Sequence, residues 1–158
     1  MTNEIIVSLI TSVITWTILT FGKNVLIPFY ENIIYKGVNL SGTWTKTSKR
    51  HQGETDETTY TEHIILEQKA STIKGTYTVV SLFLDNTQVV SSYNIKGDIK
   101  DGHLILTADI ADKKQIGYGT FVLKIIAGGQ QMSGVVTLLN RKGDNIVAYD
   151  NCYYDKTI

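Results

Sequence analysis

Arg50 and Arg141 are the only two arginines in this chain of 158 residues, and each stands beside turn formers, in "KRHQGE" and "NRKGD". A guanidinium offers forked donors that match the oxygens of a phosphate. Tyr60, Tyr93 and Tyr118 add flat faces that can stack on a base, and Lys46 adds a further cation. Cations set among aromatic rings are equipment for holding an anionic ligand. The other reactive side chains are poorly arranged for chemistry. His51, His63 and His103 lack metal-ligand spacing, and Cys152 lacks an obvious histidine partner. Glu54, Asp56 and Glu57 share a solvated loop, and "AGGQQ" at 127–131 is followed by neither a helix nor Gly-Lys-Ser/Thr. The sequence thus predicts no catalytic residue, no metal, no cofactor and no enzyme.

Residues 37–158 must position these side chains, and their hydrophobic pattern has period two, broken by turn signals at short intervals. Eight runs stand out, at roughly 41–50, 58–68, 72–84, 88–99, 103–110, 117–126, 131–140 and 145–154. Their lengths predict an all-β domain, an eight-stranded antiparallel up-and-down barrel, whose closure would remove the sheet edges. A motif recurs as "GTW" at 42–44, "GTY" at 75–77 and "GTF" at 119–121, with the glycine and the aromatic on one face. Glycine permits the tight coiling of a narrow barrel, and the aromatic covers the gap it leaves. Further strand glycines fall in "IKG" at 95–97 and "MSG" at 132–134. Alternation predicts an interior of Gly42, Trp44, Ile64, Leu66, Ile73, Val79, Ile95, Ile99, Leu104, Leu106, Phe121, Leu123, Ile125, Met132, Val136 and Leu138.

Residues 1–36 follow different rules. Ile5 to Gly22 carries no charge, and at about 1.5 Å per residue it makes a helix of roughly 27 Å, close to a hydrocarbon core. "MTNE" supplies no basic start for a signal peptide. Ser8, Thr11, Ser12 and Thr15 fall within about 100° of a helical wheel, a small-residue stripe of the kind that lets membrane helices self-associate. The same hydroxyls can instead bond back to their own helix. Lys23 and Lys36 follow the run while Glu4 precedes it, which places the C-terminal part in the cytoplasm. Pro28 interrupts "NVLIPFYENIIY", an interfacial elbow or a short second hydrophobic segment.

Charge excludes some partners. Fifteen basic and fifteen acidic residues balance, so no overall field attracts DNA or RNA. The lone cysteine cannot form an internal disulfide and suits a reducing compartment.

Gly42 and Trp44 in "LSGTW", at the first strand of an eight-stranded barrel, resemble the lipocalin superfamily, where the tryptophan plugs the closed end. Joined to an N-terminal membrane segment in so short a chain, the arrangement resembles the transmembrane β-barrel effectors of bacterial CBASS antiphage defence. That resemblance implies a cytosolic barrel that recognises a cyclic nucleotide, such as a cyclic dinucleotide, made on infection. It also implies homo-oligomerisation in the inner membrane, disruption of the bilayer and cell death. The chain departs from the family's usual two helices, since only one run spans.

If Trp44 marks the plugged end, strand direction fixes the open one. The mouth then collects Lys46, Ser48, Arg50, Tyr60, Glu62, Ser81, Phe83, Ser91, Tyr93, Tyr118, Asn140 and Arg141. Of these, Lys46, Arg50, Tyr60, Tyr93, Tyr118 and Arg141 are the expected ligand-binding set. Two other readings compete: a membrane-held carrier of an apolar ligand, and a solid barrel that anchors a partner protein.

Overall fold

The structure is a computed structural model that describes residues 2–27, 30, 37–52, 56–139 and 146–157. The chain divides into two compact units, Met1–Gly37 and Val38–Ile158, close to the boundary between residues 36 and 37 read from the sequence.

In the first unit, α1 (Thr2–Phe21) runs on into a π-helical turn, Gly22–Leu26. Ile6–Leu26 is long and apolar enough to cross a membrane, and none of that stretch is buried within the chain. The hydroxyls bond back along the helix. Thr11 donates to the Val7 carbonyl at 2.9 Å, Ser12 to Ser8 at 2.8 Å and Thr15 to Thr11 at 2.8 Å. Their donors are satisfied without a neighbour, which leaves the small-residue stripe available for close approach of a second helix. Of the stretch 24–35, where an elbow or a short second segment is expected, residues 24–27 continue the helix and Tyr30 is exposed, and the rest lies outside the described residues.

The second unit is an antiparallel barrel. Its strands are β1 (Gly42–Gln52), β2 (Asp56–Lys69), β3 (Thr72–Leu82), β4 (Gln88–Lys100), β5 (His103–Ile110), β6 (Tyr118–Ile126), β7 (Gln131–Leu139) and β8 (Ile146–Thr157). Each pairs with the next, and β8 returns to β1. Register follows from the alternation: a slip of one residue would exchange the core face for the solvent face. All of the expected interior points inward except that Gly42 sits at the exposed start of β1. Trp44, Ile64, Ile73, Leu104, Leu106, Phe121, Leu123 and Met132 are fully buried, and Val79, Ile99, Ile125 and Leu138 pack against them. The "KDG" turn joins β4 to β5 with positive φ at both Asp101 (49°) and Gly102 (74°), the twist that suits a tight hairpin.

The repeated glycines are close-approach sites. A Cβ on Gly75 would run into the Ile65 carbonyl, one on Gly97 into the Ile105 carbonyl, and one on Gly134 into the Val122 carbonyl. Only hydrogen fits where these strands are pressed together by coiling. Aromatics two positions on fill the interior: the Tyr77 ring meets Phe121 edge-on at 4.9 Å and lies 5.7 Å from Tyr93.

One end of the barrel is closed by the segment that leads into β1. The buried Leu40 fills the bottom beneath Trp44, whose indole donates to the Leu40 carbonyl at 2.9 Å. The Gln68 side chain holds the same segment, accepting from the Leu40 amide at 2.6 Å and donating to the Val38 carbonyl at 3.1 Å.

Closure itself is short. Among the described residues β1 pairs with β8 at Thr43, Trp44 and Thr45 alone, opposite Thr157, Lys156 and Asp155. Beyond Thr45 the strands part, and β8 carries an irregularity opposite Gly134–Val136 that puts Asn151 at φ 54°. Among the described residues the expectation that closure removes the sheet edges therefore fails at the mouth, where β8 holds one extra residue and pairs no further with β1.

Candidate functional site

Toward the other end the interior opens into a cavity of about 760 Å³. It lies between the strand halves remote from Trp44, where inward positions carry hydroxyls, rings and charges in place of aliphatic groups. Ser48 and Lys46 on β1, Tyr60 and Glu62 on β2, and Val79 and Ser81 on β3 line it. Ser91 and Tyr93 on β4, Val136 and Leu138 on β7, and Tyr149 and Cys152 on β8 complete the wall, with Phe83 at the β3–β4 turn.

The floor is a single polar cluster centred on Glu62, which is 8% exposed. One carboxylate oxygen accepts from the Lys46 ammonium at 2.8 Å. The other accepts from the Tyr77 hydroxyl at 2.9 Å and the Tyr154 hydroxyl at 2.5 Å. Lys46 also donates to the Cys152 sulfur at 3.3 Å and stands 5.6 Å from the Tyr154 ring centre. A carboxylate this far from water needs such partners, and the described buried side-chain atoms have them all.

Electrostatics follow from that geometry. Burial lowers the Lys46 pKa, but its hydrogen bond and charge pairing with Glu62 outweigh this, so the net shift is upward and the amine stays charged. Burial, then the Glu62 charge, push both tyrosine hydroxyls far up, so they remain donors. Burial also raises the Cys152 thiol against the opposing pull of Lys46. A charged amine and a thiol held neutral make poor nucleophiles. The floor is a polar cluster whose members hydrogen-bond one another, and tyrosine and phenylalanine rings stand among the walls above it.

Of the expected binding residues, Lys46, Tyr60 and Tyr93 line this one cavity, together with Ser48, Glu62, Ser81, Phe83 and Ser91. Tyr118 does not. It is 47% exposed, because Gly119 and Phe121 set the inward phase of β6 and turn their neighbour out. The Arg50 side chain, Asn140 and Arg141 lie outside the described residues. Sequence reasoning missed Tyr77, Tyr149 and Tyr154 as parts of the site and treated Cys152 as an ordinary strand residue. For Tyr77 a signal existed, since it is inward in phase and follows Gly75. Tyr149 shares the inward face with Cys152 only because of the β8 irregularity, which breaks the period.

Among the described residues no group of three or more His, Cys, Asp or Glu side chains is placed to hold a metal ion. No protein-family model, curated protein or solved structure matches the chain.

Proposed function

We propose that this protein is a membrane-anchored antiphage effector whose barrel senses a cyclic nucleotide, with a cyclic dinucleotide as the ligand that fits best. On this reading the helix holds it in the bacterial inner membrane and the barrel faces the cytoplasm. Ligand binding drives assembly of the helices and disrupts the membrane. The observation that carries the reading is the mouth cavity: about 760 Å³, walled by Tyr60, Tyr93 and Tyr149 and floored by a charged amine, on a chain that has a helix long and apolar enough to span lipid. Small-molecule sites commonly span about 300–1,000 Å³, and each stacked base contributes about 1–3 kcal/mol.

Phosphate recognition needs more than the floor supplies, since Glu62 already pairs with Lys46. The reading therefore assigns the phosphates to Arg50 and Arg141 from the sequence. Val79 and Phe83 on the β3 side, with Val136 and Leu138 on β7, favour a second reading, a carrier of an apolar ligand. The Glu62 cluster speaks against it, because an apolar tail would meet a charged floor.

Calorimetric titration of the full chain in detergent with a panel of cyclic di- and trinucleotides, and with oleate, separates these. The proposal expects saturable heat with at least one cyclic nucleotide, weakening steeply with salt. Oleate binding alone would favour the carrier, and silence with every compound would favour an anchor for a partner protein.

A further inference from the structure

The floor spends its polar groups on one another, but the wall above it does not. Register sets Ser48 on β1 opposite Tyr60 on β2, and Tyr60 opposite Ser81 on β3, so three inward hydroxyls form one row across adjacent strands. Lys46, Glu62 and Val79 make the row beneath it in the same register. Directly opposite residues of such a ladder hold their Cβ atoms about 4.5–5.5 Å apart, within reach of one small molecule. Ser48, Tyr60 and Ser81 all line the cavity. Among the described residues no hydrogen bond joins any of these three hydroxyls to another group.

Ser81 is the telling member. It is 3% exposed, one of three buried polar residues of the described chain, and the other cavity-facing one, Glu62, has its partners. Described side-chain oxygens that are shut off completely are all bonded, so the Ser81 oxygen keeps a small opening, and the cavity it lines is where that opening leads. A hydroxyl so placed gains when a ligand supplies the bond that it lacks. Charge gives no reason for an anion at this level, because Lys46 and Lys49 balance Glu62 and Asp150 among the described lining side chains. The complement is a neutral group that both donates and accepts, as the serine and tyrosine hydroxyls do. A base edge is flat and asks for partners in one plane, and Tyr93, Tyr149 and Phe83 offer it ring faces elsewhere on the wall. Hydroxyls one strand apart on a curved wall suit instead the oxygens on successive carbons of a puckered sugar ring.

We propose that Ser48, Tyr60 and Ser81 form a sugar seat, in which the Ser81 hydroxyl bonds a free ribose hydroxyl of the ligand and so selects ribose over deoxyribose. A ligand that lacks that hydroxyl, or has it tied up in a phosphodiester link, leaves Ser81 buried without a partner, which costs affinity through the protein side of the contact. The seat names a part of the ligand that neither the ring faces nor the arginines address. It rests on the nucleotide reading for the molecule that carries the sugar, while the row itself follows from strand register.

The test is calorimetry on the full chain in detergent with cyclic di-AMP, cyclic di-GMP, cyclic GMP–AMP and cyclic tri-AMP, each in its ribose and its deoxyribose form. The expected result is that a ribose form binds about tenfold more tightly than its deoxyribose counterpart. Ser81→Ala is expected to weaken the ribose form about tenfold and to bring the two forms within about twofold of each other, with Ser81→Thr, which keeps the hydroxyl, restoring the preference. Equal binding of the two forms by the native chain would overturn the seat and leave the nucleotide reading standing, and this comparison decides even where Ser81→Ala does not fold. A preference for ribose that survives Ser81→Ala unchanged would also overturn it. Saturation-transfer NMR with methyl riboside separates the two ideas where no nucleotide gives heat. Transfer to the riboside that drops severalfold in Ser81→Ala would sink the nucleotide reading alone, and no transfer at all would sink the seat with it.

Discussion

Glu62 binds the cavity floor together, because its carboxylate holds one ammonium and two phenols from three other strands. Removing the hub should cost more than removing a spoke. Glu62→Ala leaves an uncompensated lysine and is expected to destabilise by about 3–5 kcal/mol, whereas Tyr154→Phe forfeits one hydrogen bond to a charge, about 1.5–3 kcal/mol. Chemical denaturation of the full chain in detergent measures both, and equal losses would refute the hub. Cys152 supplies a second check. Its folded pKa is raised above the ordinary 9.0, so the fold favours the neutral thiol. That contribution is present below the unfolded value and is lost as pH rises through the folded one. Lys46, raised above 10.5, behaves in the same sense. Stability should hold through neutral pH and decline in alkali. Iodoacetamide at pH 8 should alkylate the folded thiol about tenfold or more slowly than the unfolded one.

Strands and helix answer to different tests. Where β3 and β4 are pressed on their neighbours, only hydrogen fits, so Gly97→Ala must displace the backbone at the Ile105 carbonyl. A loss of about 1–3 kcal/mol is expected, read as a lowered melting temperature, while Gly102→Ala at the open hairpin tip meets no such wall and costs only its turn conformation. In the helix, the hydroxyls of Thr11, Ser12 and Thr15 bond back along the chain and, with Ser8, form a stripe of small residues. Replacing all four by leucine should retain membrane insertion and reduce oligomers, as seen by cross-linking in vesicles.

At the scale of the whole molecule, much was legible because a barrel repeats one rule. Period two fixed the interior, turn formers fixed the hairpins, and Trp44 with strand direction fixed which end opens. Lys46, Tyr60 and Tyr93 were reached by that logic alone. Failures came where a single residue breaks the rule. The extra residue near Asn151 shifts the phase of β8, hides Tyr149 from an alternation count and shortens the seam. Tyr118 was misplaced by counting it at a strand end without assigning its face. The Glu62 cluster was illegible for a further reason: its members lie on β1, β2, β3 and β8 and meet only through closure.

The strap from Val38 to Ser41 carries a mechanical consequence. Gln68 grips its backbone at two points, and Trp44 grips it at a third. Traction arriving along the chain from residue 37 is thus shared with β2 and the indole before it loads the first rung of β1. Such a fastening behaves as a strain relief: tugging and thermal jostling from the preceding helical unit are absorbed at the blind end, and the strands framing the cavity mouth are left undisturbed.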